Sequence, residues 1–182
     1  LSMGKYAEEF EASFATYTGT EHAVACNSGT SALELIFRGL AVEGKEVIVP
    51  SNTFIATPIA ILNAGATPVF ADCGDDMSLD PADTARKITR GTAAIAHVHI
   101  GGIVSRGITQ IKKLCDDHQL HLVEDAAECV QVRPAVGTDA AGLFRRHVVG
   151  SPHHDAGGRH RAHVLAAGNA EDDDLGLALG AD

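Results

Sequence analysis

Tryptophan is absent from the 182 residues, and two tyrosines and six phenylalanines supply all of the aromatic surface. Cations are scarce too: 14 Lys and Arg stand against 24 Asp and Glu, a formal net charge of −10. A nucleic-acid backbone would be repelled by that field, and no basic stripe compensates, so no nucleic-acid partner is expected. The longest apolar run, Phe54 to Leu62, is nine residues with Pro58 inside it. About 20 are needed to cross a bilayer, so no membrane anchor is expected. The four cysteines, at 26, 73, 115 and 129, form no CxxC pair and signal neither a zinc site nor a redox dithiol. Four reduced, mostly core cysteines in a cytoplasmic protein are the expectation. The N-terminus at Leu1 shows neither an initiator Met nor the basic and apolar regions of a signal peptide, which reads as a start part-way into a longer protein.

What is present describes a globular chain: 45% hydrophobic and 21% charged residues, within the length of about one domain. Tyr6, Phe10, Phe14 and Tyr17 recur at helical spacing between Gly4 and Gly19, with Glu8, Glu9 and Glu11 turned away, an amphipathic first helix. Short apolar runs then alternate with helical patterns. Strands are expected at His22 to Cys26, Glu46 to Val49, Thr67 to Ala71, Ala93 to His99 and Leu120 to Val123. Helices are expected from Ser28 to Leu40, Thr53 to Asn63 (ended by Gly65), Asp80-Pro81 to about Ile88, and about Thr109 to His118. Strands that are apolar throughout rather than alternating are buried on both faces, so the class is α/β with a mostly parallel sheet flanked by helices. In such sheets ligands sit beyond the carboxyl ends of the strands. Asn27 to Ser31, Ser51 to Phe54, His99 to Gly102 and Asp125 to Glu128 are therefore expected to converge.

Three segments carry chemistry at those ends. Cys26-Asn27-Ser28-Gly29-Thr30-Ser31 puts small and hydroxylic residues where a strand meets a helix, so backbone N–H groups and the positive helix end face one point. An anion site and an ordinary Ser-capped turn both fit that pattern. Glu124-Asp125 closes an apolar strand with two carboxylates, one of which must point inward; Asp125 either meets a protonated ring nitrogen or caps the next segment. Phe54, after Ser51-Asn52-Thr53, either lies flat on a ring ligand or belongs to the core. His97 and His99 share one strand face, where packing is the expectation and ligand contact by His99 the alternative.

From about residue 131 the composition shifts to Ala, Gly, Arg, His and Asp, without the periodicity to pack on a sheet. His147, His153, His154, His160 and His163 with Asp155 crowd this stretch, but their spacing matches no closed metal-ligand set, and no metal is expected.

In order and spacing these blocks resemble the DegT/DnrJ/EryC1/StrS sugar aminotransferases, pyridoxal-phosphate enzymes of the aspartate-aminotransferase-like fold type I. The resemblance is carried by Glu9-Phe10-Glu11, the run from His22 to Leu33, Glu46 to Pro50, Thr53 to Thr57, Gly65 to Asp72, Val98 to Gly102 and Leu122 to Ala127. It implies that Gly29, Thr30 and Ser31 hold the cofactor phosphate, that Phe54 stacks on the pyridine ring, and that Asp125 bonds the pyridine nitrogen as a catalytic residue. Glu128 stands against the cofactor where the family usually has Gln or His. The family moves an amino group from Glu or Gln to a keto sugar, usually nucleotide-linked, or to a cyclitol ketone, in antibiotic or polysaccharide biosynthesis. Its members are homodimers with sites at the subunit interface.

The same resemblance exposes a departure. The family's Schiff-base lysine would follow Phe144, yet Arg145, Arg146 and His147 stand there, and the five lysines lie at 5, 45, 87, 112 and 113. Residues 1–144 are thus expected to form a partial cofactor-binding large domain, and 145–182 a divergent, disordered or out-of-frame tail. Without that lysine, covalent catalysis and proton transfer are lost. The alternative is a non-catalytic remnant or interaction module. A relative that uses His in place of the lysine is disfavoured, because His147 is out of register.

Overall fold

The computed structural model describes residues 4–18 and 22–127; Tyr17, Cys129, Glu128 and everything expected of 145–182 bear on side chains outside the described set. After α1 (Lys5–Thr18) come α2 (Gly29–Gly39), β1 (Glu46–Pro50), α3 (Ala56–Asn63), β2 (Thr67–Ala71), α4 (Pro81–Lys87), β3 (Thr92–Val98), α5 (Ile108–His118) and β4 (His121–Asp125). The four strands run parallel in the order β2-β1-β3-β4. All their carboxyl ends therefore share one edge, the geometry expected when helices return the chain to the opposite edge.

Alternation along each strand divides the core into two layers. Val47 and Val49 of β1, Ala94 and Ala96 of β3 and Val123 of β4 pack under α2 and α3 with Leu33, Phe37, Ala60 and Ile61. Ile48 of β1 and Ile95 of β3 turn the other way, to Leu79 and to Ile111 and Cys115 of α5. Phe37 is wholly buried at the centre of the first layer. Phe37→Ala removes a full ring from a site that cannot collapse around it, so equilibrium unfolding in urea is expected to show a loss of about 3–5 kcal/mol.

Local chemistry sets the element ends. The carboxylate of Asp80 accepts from the N–H groups of Ala82 (2.6 Å) and Asp83 (3.1 Å) ahead of Pro81, which fixes the start of α4. Gly65, at φ +79°, ends α3 as expected, and the Ala66 N–H closes back on the Ile61 carbonyl at 3.1 Å. Pro68 sits in β2, an edge strand among the described residues, where its missing N–H interrupts no central ladder.

The structure departs from the sequence reading at three places. His22–Cys26 is no strand: none of the four strands pairs with it, and its Ala25 N–H donates instead to Glu11 Oε1 of α1 at 2.8 Å. The helix expected from Thr53 begins at Ala56, because the hydroxyl of Thr53 and the amide of Asn52 are directed at Thr57 and the Met77 carbonyl rather than at a cap. Of the three described cysteines only Cys115 is buried, whereas Cys26 and Cys73 lie partly exposed in loops.

Candidate functional site

β4 ends on two acidic residues that point to opposite faces of the sheet, since side chains alternate along a strand. Asp125 turns to the α3 side. Its Oδ2 accepts from the hydroxyl of buried Thr57 at 2.8 Å, and its Oδ1 accepts from the Ala127 N–H at 3.3 Å. Thr57 in turn accepts from the Thr53 hydroxyl at 3.2 Å, so a row of two hydroxyls runs from the turn after β1 to the carboxylate at the end of β4. Asp125 is only half-buried. A carboxylate has about four lone-pair sites, so acceptor capacity remains for a donor approaching from the open edge.

Glu124 turns to the α5 side, where its Oε2 lies 3.0 Å from Nε2 of His99 in a buried pair. The sequence alternatives for His99 resolve toward packing: its ring is buried on the face away from Asp125. It still reaches that residue through the main chain, its N–H donating to the Asp125 carbonyl at 3.1 Å. His97 lies wholly inside, ring edge to ring face with His99 at 4.9 Å between centroids. Burial is the main cause that lowers its pKa to about 3, with repulsion from His99 second, so it is neutral at pH 7.

At the start of α2, Ser28 is the N-cap: its Oγ accepts from the Ser31 N–H at 3.1 Å and lies 3.0 Å from the Ser31 hydroxyl. The first helical bond runs from the Ala32 N–H to the Ser28 carbonyl, so the N–H groups of Gly29 and Thr30 have no acceptor among the described residues. Arg38, near the end of α2, donates to the carbonyl of Asn63 at the end of α3. The two helices therefore run side by side in one direction, and their N-termini, with Gly29, Thr30 and Ser31 on one and Thr57 on the other, open at the same carboxyl edge as Asp125. Phe54 belongs to that edge and is 75% exposed, which overturns the core alternative for it. A ring left in solvent at a strand end is available to lie against a planar ligand.

Of the four segments expected to converge, the turn after β1, the end of β4 and His99 are joined by hydrogen bonds. Gly29 to Ser31 shares the edge without a direct bond to the others, and Glu128 lies outside the described residues. Thr57 is not singled out by the sequence, and Thr53 only as a member of the converging segment Ser51 to Phe54. Their signal lies in the four-residue spacing of two hydroxyls across a helix start, which stacks them on one side. No group of three potential ligands able to hold a metal occurs among the described residues. None of the described helices is long and apolar enough to cross a membrane.

A parallel sheet with helices on both faces is the arrangement of a partial fold type I domain. The family model for DegT/DnrJ/EryC1/StrS aminotransferases matches residues 1–152, and the chain belongs to that family. It is 40% identical over 145 residues to the GDP-perosamine synthase of Vibrio cholerae, covering 79% of this chain and 39% of that one. It is 45% identical over 128 residues to a dTDP-3-amino-3,4,6-trideoxy-α-D-glucose transaminase of Streptomyces venezuelae, covering 69% of this chain and 34% of that one. The solved structure of NtdA from Bacillus subtilis with bound cofactor PMP superposes with a TM-score of 0.64 at 32% identity, over 78% of this chain and 32% of NtdA. The chain thus spans about a third of the length of the curated relatives it matches.

Proposed function

We propose that this chain is the cofactor-holding part of a sugar aminotransferase, and that its carboxyl edge takes pyridoxal 5'-phosphate. The observation that carries the reading is the anchored carboxylate: Thr57 holds one oxygen of Asp125, while the residue stays accessible at the strand ends. The donor set fits the group. Gly29 and Thr30 offer two open N–H groups and a helix N-terminus to a phosphate, with the Ser31 hydroxyl beside them. Phe54 offers an exposed ring to a planar heterocycle. Asp125 offers a negative charge to a ring nitrogen and so favours that nitrogen's protonated form. When bound, the cofactor acts as an electron sink for transamination. The residues of this chain bind and orient it and hold the ring proton; Glu128, outside the described residues, is assigned to the cofactor by the resemblance alone.

The substrates of this reading are a keto sugar, carried on a nucleotide as the names of the relatives suggest, and an amino-acid donor. Residues 1–144 are assigned to the partial large domain and 145–182 to a divergent tail. Arg145, Arg146 and His147 follow Phe144, where the resemblance implies the lysine, and the reading for these residues is a cofactor held without a covalent bond. A homodimer is supported by Ile55, Ile59 and Leu62, which line one exposed side of α3 at four- and three-residue spacing.

The test is the absorption spectrum of the purified chain titrated with pyridoxal 5'-phosphate, then borohydride reduction and intact mass. Saturable binding with no reducible adduct is expected. A stoichiometric mass gain on one lysine overturns the non-covalent assignment, and no saturable binding overturns the cofactor site itself.

A further inference from the structure

Asp125 ends an edge strand of the described sheet, so its main chain is held from one side only. Besides the ladder pair Val98 with Asp125, that hold includes the N–H of His99, one residue further on. The same His99 pairs through its ring with Glu124, the residue before Asp125, on the opposite face of the sheet. The two side chains are 1% and 9% exposed. Because Glu124 and Asp125 point to opposite faces, any roll of the strand end that carries Asp125 off Thr57 also pulls Glu124 off His99.

A buried polar pair is a poor explanation of stability, since well-packed apolar residues in its place are often neutral or better. It does specify geometry. We propose that the buried His99–Glu124 pair is a positioning device for Asp125, a counterweight behind the sheet that keeps the carboxylate against Thr57 and aimed out of the carboxyl edge. Neither residue touches the ligand; both act through Asp125. The inference rests on the role given to Asp125 above. The titratable group beside the pair is His97 on β3, which in turn feels the charge of Asp76 in the loop that follows β2. From α5, the elements packed on this face contribute the apolar Ile111 and the thiol of Cys115.

The experiment uses the full chain and two readouts: the side-chain carboxyl carbon of Asp125 by NMR across pH without cofactor, and the affinity for pyridoxal 5'-phosphate. His99→Gln and Glu124→Gln are each expected to displace the Asp125 resonance and to weaken the cofactor about fivefold or more. The double variant is expected to be no worse than the worse single one, since both break one pair. Thr57→Val, which frees the same carboxylate from the other face, sets the scale. Variants that keep the far-ultraviolet circular dichroism but leave the Asp125 resonance in place overturn the proposal. So does His99→Gln being silent while Glu124→Gln acts, which is charge removal alone, and so does loss of the folded state in the near-isosteric Glu124→Gln, which makes the pair a determinant of the fold. If the wild type binds no pyridoxal 5'-phosphate while the variants still displace Asp125, the positioning stands and the cofactor reading falls.

Discussion

Lowering the pH from 7 to 4.5 is expected to cost the folded chain about 2–3 kcal/mol through His97 alone, at about 1.4 kcal/mol for each pH unit below the unfolded value. The imidazole has a pKa of 6.5 when free and about 3 when folded, chiefly because burial strips the charged form of water. Between those values the unfolded chain binds a proton that the folded chain refuses, so stability is complete above about 6.5 and drains as the pH falls toward 3. Several other groups titrate in the same direction. Burial, then the charge of Lys45, lowers half-buried His121. Burial works against ionised Asp76, but hydrogen bonds from the Arg106 and Ser78 N–H groups and the Ser105 hydroxyl outweigh it and lower that carboxyl. The Asp72 N–H lowers Asp83, and both aspartate contributions are lost at lower pH than the histidine's. The comparison that isolates His97 is therefore urea unfolding of the wild type and His97→Leu at pH 7 and pH 4.5. The leucine variant loses the part of the slope that belongs to this ring, and its stability at pH 7 is close to wild type, because the ring nitrogens it removes make no hydrogen bond among the described residues. An unchanged difference between the two pH values in His97→Leu would sink the assignment.

That buried histidine also shows what a sequence conceals. His97 and His99 read from their alternation as sharing a strand face, and they do. Nothing in the pattern said that the face was the wholly covered one, because two polar rings in an apolar run look the same at a rim and in a core. The strands around them were legible for the opposite reason: Val47-Ile48-Val49 and Ala94-Ile95-Ala96 are apolar on both sides, which only a sheet with helices on both faces allows. Thr67 to Ala71 was found to the residue, and Asp80-Pro81 gave the start of α4 because the cap and the proline each act locally. His22 to Cys26 failed as a strand because strand formation needs a neighbour, and pairing is not a local property.

The site divides along the same line. Ser28 capping the turn at Gly29, and Asp125 closing a strand, follow from residue type and position. Their convergence required the parallel sheet, which sets all four carboxyl ends on one edge. Thr57 is hidden in the sequence because its partner is 68 positions away in the chain, and no spacing rule connects a helix hydroxyl to a carboxylate at that distance. The separate destinations of Glu124 and Asp125 were half legible. Alternation required them to part, yet both found partners, Thr57 for one and His99 for the other, where one inward carboxylate had been the expectation.

Asp125→Asn is expected to weaken pyridoxal 5'-phosphate binding by about 10- to 100-fold, the equivalent of about 1.5–3 kcal/mol for a hydrogen bond between charged partners. The amide keeps the shape and can still accept from Thr57, so the fold is expected to stay within about 1 kcal/mol of wild type. What it loses is the charge that favours a protonated ring nitrogen, and this is visible without any turnover: the nitrogen resonance of 15N-labelled cofactor moves toward the neutral form. Thr57→Val leaves the charge and removes its anchor, so a smaller loss, about threefold to tenfold, is expected with the ring nitrogen still protonated. The order of the two variants separates charge from placement. If Thr57→Val were the more damaging, placement would outweigh charge at this edge; if neither altered the affinity or the nitrogen resonance, Asp125 would be only the cap of the segment after β4, held by Thr57 for the sake of the turn at Ala127.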